Sequence, residues 1–446
     1  MDVVLVLVIC LVFSYIISYL FRRIGLPHML GHMLTGLIIS FPVFKNFLFK
    51  EANTQNAFSI LANLGLIFLL FFIGLKINVH HLLKFSKKSI NISMLSALMP
   101  FLFGFVFGHI FGLGLLVSIV LGACLSVTAE AVSTAVLREL GMINSRTGLI
   151  IIEAGIIDDI FELLILAVVG AMISKSDVGI SSSGTLSGLS GIFLDVVIFV
   201  GVIYIVRFIF IPIIFKLLEK EPSKSELFTA SFIIVLAMAA VANYLQLGTV
   251  IGALVAGVIV KQTLIKEHKR KEEIQVVDMV ESVTFGFLEP VFFIWIAYQA
   301  DIFSNFITSK DFLFFAGTLT VIATAGKILG SVIGNLTARD KESIYSNIKE
   351  GVAIGWGMNA RGAVELIAIK IASDYGIVNQ TIYSAVVLMA FVTTIMSPLI
   401  FKASMHWLAV EKHIKSESKE TKNLLTNESE PAEIEAPRKN ISQKIN

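Results

Sequence analysis

Residues 153–164 read Glu-Ala-Gly-Ile-Ile-Asp-Asp-Ile-Phe-Glu-Leu-Leu, and their surroundings decide the architecture. Four carboxylates, Glu153, Asp158, Asp159 and Glu162, fall within ten residues, yet the chain is apolar on both sides. A helix over 147–173, rising about 1.5 Å per residue, is long enough to cross a bilayer and puts Asp158 and Asp159 near mid-membrane. A carboxylate at that depth costs roughly 2.5–3.5 kcal/mol on insertion scales, so it is retained where it is used. Two adjacent carboxylates also repel one another. The pair can hold protons or a desolvated cation, but not both at once, and that competition is the minimal chemistry of exchange.

The rest of the chain is of the same kind. Of its 446 residues, 56% are hydrophobic and 15% charged, with mean hydropathy +0.85; soluble domains carry about 25% charged residues. The pattern predicts an all-α polytopic membrane protein of about thirteen transmembrane helices, near 3–21, 28–47, 57–75, 90–111, 114–137, 147–173, 190–217, 227–244, 248–261, 281–299, 311–335, 350–374 and 379–402. The first is read as a span and not as a cleaved leader, because Arg22-Arg23 follow it without a small-residue cleavage site. Alternate loops hold most of the Lys and Arg, including Arg22, Arg23, Lys76, Arg138, Arg146, Arg270 and Lys341; the other loops hold Lys45, Lys50, Lys175 and Lys310. The positive-inside rule then puts the N-terminus outside and the C-terminus in the cytoplasm of a multi-pass plasma (inner) membrane protein. The net charge of +2 gives no reason to expect a nucleic-acid partner. Cys10 and Cys124 read as small core residues. Residues 1–410 form the transmembrane domain, 174–191 a linker between two halves, and 411–446 a polar, disordered cytoplasmic tail.

Those halves repeat. Gly31-His-Met-Leu-Thr-Gly36 returns as Gly252-Ala-Leu-Val-Ala-Gly257, and Phe71-Phe72-Ile73 as Phe292-Phe293-Ile294, at one shared offset (252 − 31 = 221 and 292 − 71 = 221). The copies start seven helices apart, so the second is inverted. Inverted repeats are the architecture of many secondary transporters, which bind substrate near the midplane where the repeats meet.

Other polar residues in the spans extend the site. Glu162 shares a helix face with Asp158 and Asp159 and is a possible pathway acid; Glu153 turns away and reads as scaffold. Lys327, in an apolar run, needs a partner, and a salt bridge with Asp159 that a cation would break is the expectation. Ser126, Thr128 and Glu130 interrupt one span, and Gly357, Asn359, Arg361, Gly362 and Glu365 interrupt its counterpart in the second half. Two crossing discontinuous helices follow from this, with Glu130, Arg361 and Asn359 stabilising opposed helix ends and Thr128 and Ser126 offering oxygens to the ion. Glu289-Pro290 breaks a later span, Arg207 reads as snorkelling, and His28, His32, His80 and His81 read as surface histidines. There is no nucleotide-binding loop, metal-ligand cluster or nucleophile–base pair, so the chain is not read as an enzyme.

The ordered set GLPHMLGHMLTGLIIS, LGLIFLLFFIGLKIN, AGIIDDIFELLILA, IGALVAGVIV, EPVFFIWIA, GKILG and MNARGAVELI resembles the monovalent cation:proton antiporter-2 family, which has a sodium/hydrogen exchanger domain, over roughly residues 1–405. The resemblance implies a sodium/proton antiporter fold with core and dimerisation subdomains, a homodimer, and elevator-type alternating access. Asp158 and Asp159 match the family's aspartate pair, with Asp159 the main carrier, and Lys327 matches its lysine. Together they are similar to electrogenic bacterial sodium/proton antiporters, with Na+ or Li+ exchanged for H+ and no cofactor beyond the transported ions. A K+/H+ antiporter of the same family and, on a similar fold, a sodium-coupled solute symporter or a channel are the alternatives. The chain departs from the pattern at Glu130 and Glu162, where small or apolar residues are usual.

Overall fold

A computed structural model describes residues 2–76, 86–176, 201–210, 224–245, 248–266, 270–308, 310–337 and 343–427, with positions 198 and 213. Most of the expected linker, most of the 190–217 span, His80, His81 and residues 428–446 of the expected tail lie outside them.

Among the described residues the fold is helical, without strands. The first half contributes α1 (Val3–Arg23), α2 (His28–Ile39), α3 (Pro42–Leu48), α4 (Ala52–Lys76), α5 (Lys87–Ile110), α6 (Leu115–Ser126), α7 (Glu130–Glu139) and α8 (Arg146–Ser176). The second contributes α9 (Lys224–Tyr244), α10 (Thr249–Lys266), α11 (Arg270–Val283), α12 (Glu289–Ala300), α13 (Ile302–Thr308), α14 (Lys310–Thr337), α15 (Ile344–Gly357), α16 (Ala363–Asp374) and α17 (Gln380–Asn427). Among the described residues, eight helical stretches are long and apolar enough to cross a membrane, Leu115–Glu139 across the α6 and α7 region among them, and His28–Ile39 and Thr249–Thr263 are shorter apolar helices.

Local chemistry sets several boundaries. Asp2 accepts the Val4 amide at the start of α1, and Arg22 and Arg23 occupy its last turn, where cations complement the helix dipole. Ser86 and Ser343 cap α5 and α15 by accepting the amides three residues on. A five-residue π-helical stretch, Thr284–Leu288, joins α11 to α12 ahead of Pro290. Cys10 and Cys124 are buried free thiols, as their positions in the spans suggested.

Two groups of helices emerge. In one, α5, α6, α7, α8, α14, α15 and α16 pack on each other; in the other, α1, α2, α4, α9, α10, α11 and α12 do. Packing of α8 on α10 joins them, and α17 touches both, with Tyr383 Oη donating to Ile296 O at 3.1 Å and Thr394 meeting Arg361. The repeated motifs interlock reciprocally. Gly36 lies against the Ile294 carbonyl and Ala297, while Gly257 lies against the Phe71 carbonyl and Leu75. Each copy's glycine therefore receives the other copy's aromatic motif, and the lack of a Cβ is what permits the approach.

Candidate functional site

The two polar interruptions are real gaps in helical structure. Helix α6 ends at Ser126 and α7 begins at Glu130; α15 ends at Gly357 and α16 begins at Ala363. Non-helical backbone in a span needs partners for its amides and carbonyls, and the two gaps supply each other. Ala129 N donates to Ala360 O at 2.7 Å. Arg361 Nη1 donates to Val127 O at the end of α6, and Ser133 Oγ donates to Gly357 O at the end of α15. The Arg361 backbone is held by Thr394, whose Oγ1 accepts from its amide and donates to its carbonyl, each at 3.1 Å. Asn359 Nδ2 donates to Thr324 Oγ1 at 3.3 Å.

Against this gap stands α8. Asp158 is fully buried, and its Oδ2 lies 3.0 Å from Lys327 Nζ, also fully buried, on α14. Thr128 bridges them: its hydroxyl accepts from Lys327 at 2.5 Å and donates to Asp158 Oδ2. Asp158 Oδ1 has no hydrogen-bond partner. The expected Asp159–Lys327 bridge is thus replaced by Asp158–Lys327. Successive residues on a helix point about 100° apart, so only one of the pair can face α14. Asp159 is turned into a cavity that Glu130 also lines.

Glu162 lies one turn beyond, 2% exposed, and its Oε1 accepts the Thr128 amide. This carboxylate therefore completes the backbone gap, although it also borders the cavity. Ser126 is not brought to the acids by its hydroxyl, which donates to Ala123 O within its own helix at 2.8 Å. Glu130 does not complement Arg361 as expected. Position 130 opens α7 and faces α8, where its side chain packs on Gly155. Arg361 looks instead to Val127 O and to Glu365, whose Oε2 is 3.9 Å from Nε. Glu153 is scaffold: it accepts from Ser86 N at 3.3 Å and Ser89 Oγ at 2.7 Å, fastening the start of α5.

The cavity measures about 980 Å³ and lies between the two helix groups. Thr128, Glu130, Asp159 and Glu162 line it from one side, and His28, Phe72, Glu289 and Phe293 from the other. It extends to Arg22, Lys76 and Arg138, all exposed and all from the basic set of loops. Asp159 is reachable from that end, whereas Asp158 is sealed behind it. Such an arrangement can take up a small cation at a carboxylate while displacing a proton.

Sequence reasoning missed a second buried ion pair. Lys88 Nζ lies 2.9 Å from Glu350 Oε2, and Thr147 Oγ1 donates to Glu350 Oε1 at 2.8 Å, tying α5, α8 and α15 together. Both charges sit close to span ends, where composition reads them as interfacial.

Comparison with known proteins bears on the same region. Residues 8–407 match the family described as sodium/hydrogen exchanger, transmembrane. A Na(+)/H(+) antiporter of Enterococcus hirae is 30% identical over 407 residues, covering 90% of this chain and 98% of the relative. The Na(+)/H(+)-K(+) antiporter GerN of Bacillus cereus is 26% identical over 381 residues, covering 85% and 90%. In fold, the chain is similar to the sodium proton antiporter MjNhaP1 of Methanocaldococcus jannaschii, with a TM-score of 0.57 at 17% identity, over 92% of this chain and 98% of that one. These relatives are transporters, not enzymes, and the match takes in the aspartates, the lysine and both helix gaps: the chain belongs to the sodium/hydrogen exchanger family.

Proposed function

We propose that the chain is a secondary antiporter of the plasma membrane that exchanges Na+ or Li+ for H+, electrogenically and by elevator-type alternating access. The observation that carries this reading is the division of labour within the pair: Asp159 faces the cavity while Asp158 is sealed against Lys327. A cation entering from the basic end meets Asp159 and Glu130, and its charge displaces a proton from the carboxyl group that takes it. To draw on Asp158 as well, it must break the buried pair, and Lys327 then gives up a proton, since an unpaired buried ammonium is strongly disfavoured. Two protons leave for one monovalent cation, so one net charge crosses per cycle, worth about 2.3 kcal/mol at 100 mV.

In this reading the chain has thirteen spans, N-terminus outside and C-terminus inside, with residues 411–446 as a cytoplasmic tail. The two gaps are the middles of crossing discontinuous helices in an inverted repeat. The helix group holding the aspartates is the moving core, and the group holding α2, α4 and α12 is the fixed, dimer-forming part of a homodimer. The protein needs no resident cofactor. The separation into two helix groups with a cavity between them supports this picture.

The test is exchange in reconstituted vesicles holding a pH dye, with Na+, Li+ or K+ added, with and without a valinomycin clamp. Sodium-driven proton movement that follows the imposed potential is expected. A response to potassium alone would remove the sodium assignment, and indifference to potential would remove electrogenicity. Potassium is the second reading, favoured by the similarity to the Na(+)/H(+)-K(+) antiporter of Bacillus cereus.

A further inference from the structure

A cluster that the exchange reaction does not use lies where α2 meets α12. His28, His32 and Glu289 each offer one ligand atom, and these atoms lie within 4.8 Å of one another. His28 and Glu289 also line the large cavity. We propose that these three residues bind a divalent transition-metal ion of the zinc class, and that its occupancy slows cation entry.

The geometry is close to that of a bound site. Tetrahedral ligands about 2.1 Å from zinc stand about 3.4 Å apart, and His28 Nε2 is 3.4 Å from Glu289 Oε2. His32 is one helical turn from His28 on the same face. Its Nδ1 is engaged by Ser14 Oγ at 2.5 Å and Ser18 Oγ at 3.1 Å, which leaves Nε2 for an ion. A second ring nitrogen held this way is what orients a ligating imidazole. Ser18 is itself fixed by donating to His28 O at 2.9 Å.

Glu289 supplies an independent observation. Its side chain is 4% exposed, and Oε2 is buried with no hydrogen-bond partner while pointing towards His28. A carboxylate oxygen left so is costly unless something compensates its charge. The π-helical stretch that ends at Leu288 sets the register that aims it. The His28 side chain is 41% exposed, so an ion has an approach from the cavity.

The donor set chooses the ion. Two imidazoles and one carboxylate suit zinc, cobalt or nickel, whereas sodium, magnesium and calcium prefer all-oxygen surroundings. A doubly charged ion in this wall adds positive potential to the space through which a monovalent cation reaches Asp159. That consequence rests on the proposed exchange; the binding itself does not.

The experiment uses the untagged full chain in detergent, titrated with Co2+ and followed by visible absorption, then by displacement with Zn2+. One tetrahedral cobalt per chain is expected, displaced by zinc and unaffected by Mg2+. The variants His28→Ala and Glu289→Gln should each weaken zinc binding by about tenfold or more. His28 is on the cavity surface, so His28→Ala keeps the test valid even if Glu289→Gln misfolds. Absence of the tetrahedral spectrum, or unchanged affinity in His28→Ala, would overturn the site. In vesicles, zinc should slow exchange by the native chain and not by His28→Ala. Stoichiometric binding without slowing would overturn the inhibitory role. Cobalt binding to a protein that exchanges nothing would instead count against the proposed function.

Discussion

Asp158 and Lys327 form an ion pair with both side chains fully buried and Thr128 bridging them. Two charges withdrawn from water hold each other in place, and neither is tolerated alone. Lys327→Met should therefore lower stability by about 3–5 kcal/mol, and Asp158→Asn combined with Lys327→Met should recover much of it. Chemical denaturation in detergent measures both. The double variant also lacks one proton carrier, so any exchange it retains should become indifferent to membrane potential.

Asp159 is the acid that the cavity reaches. Asp159→Asn should leave the fold intact, because the side chain lines a cavity and a neutral amide is no costlier there than a carboxylate, and should abolish exchange for every cation. Full exchange by this variant in the vesicle assay would remove the site.

Glu162 separates a pathway acid from a structural one. Its carboxylate accepts the Thr128 amide, and a glutamine carbonyl can do the same. Glu162→Gln should keep exchange within a few-fold of the native rate. Glu162→Leu leaves a buried amide unsatisfied, and should cost about 1–3 kcal/mol in the melting profile. Loss of exchange in the glutamine variant would make Glu162 a proton carrier.

Ser133 finishes the end of α15, and Arg361 the end of α6. Ser133→Ala removes one hydrogen bond and should cost about 1 kcal/mol or slightly more, as the Gly357 carbonyl is buried. Arg361→Leu should be far more damaging, since it exposes the end of α6 and leaves Glu365 without its cation. Thermal unfolding ranks the two, and the reverse order would contradict the capping roles.

Much of this was legible in the sequence. The apolar windows, the aspartate pair, Lys327 and the polar gaps at Thr128 and Asn359 stand out because polar groups are expensive in hydrocarbon and cannot be hidden from composition. Which acid meets Lys327 was not legible. Asp158 and Asp159 are neighbours in sequence but point in different directions, and the rotation of α8 about its axis is set by packing against α5, α6 and α16. Glu130 illustrates the same limit: its charge complements Arg361 on paper, yet as the first residue of α7 it projects towards α8. The pairing of His28 and His32 with Glu289 was hidden because the partners lie in different halves of the chain.

The reciprocal seating of Gly36 and Gly257 has a consequence for biosynthesis. Gly36 is covered by Ile294, made 258 residues later (294 − 36 = 258), and Phe71 is covered by Gly257, made 186 residues later (257 − 71 = 186). The first half therefore enters the bilayer with these two seams still open. Order of insertion is not order of packing in this chain, and the ribosome must deliver α12 before α2 reaches its final neighbours.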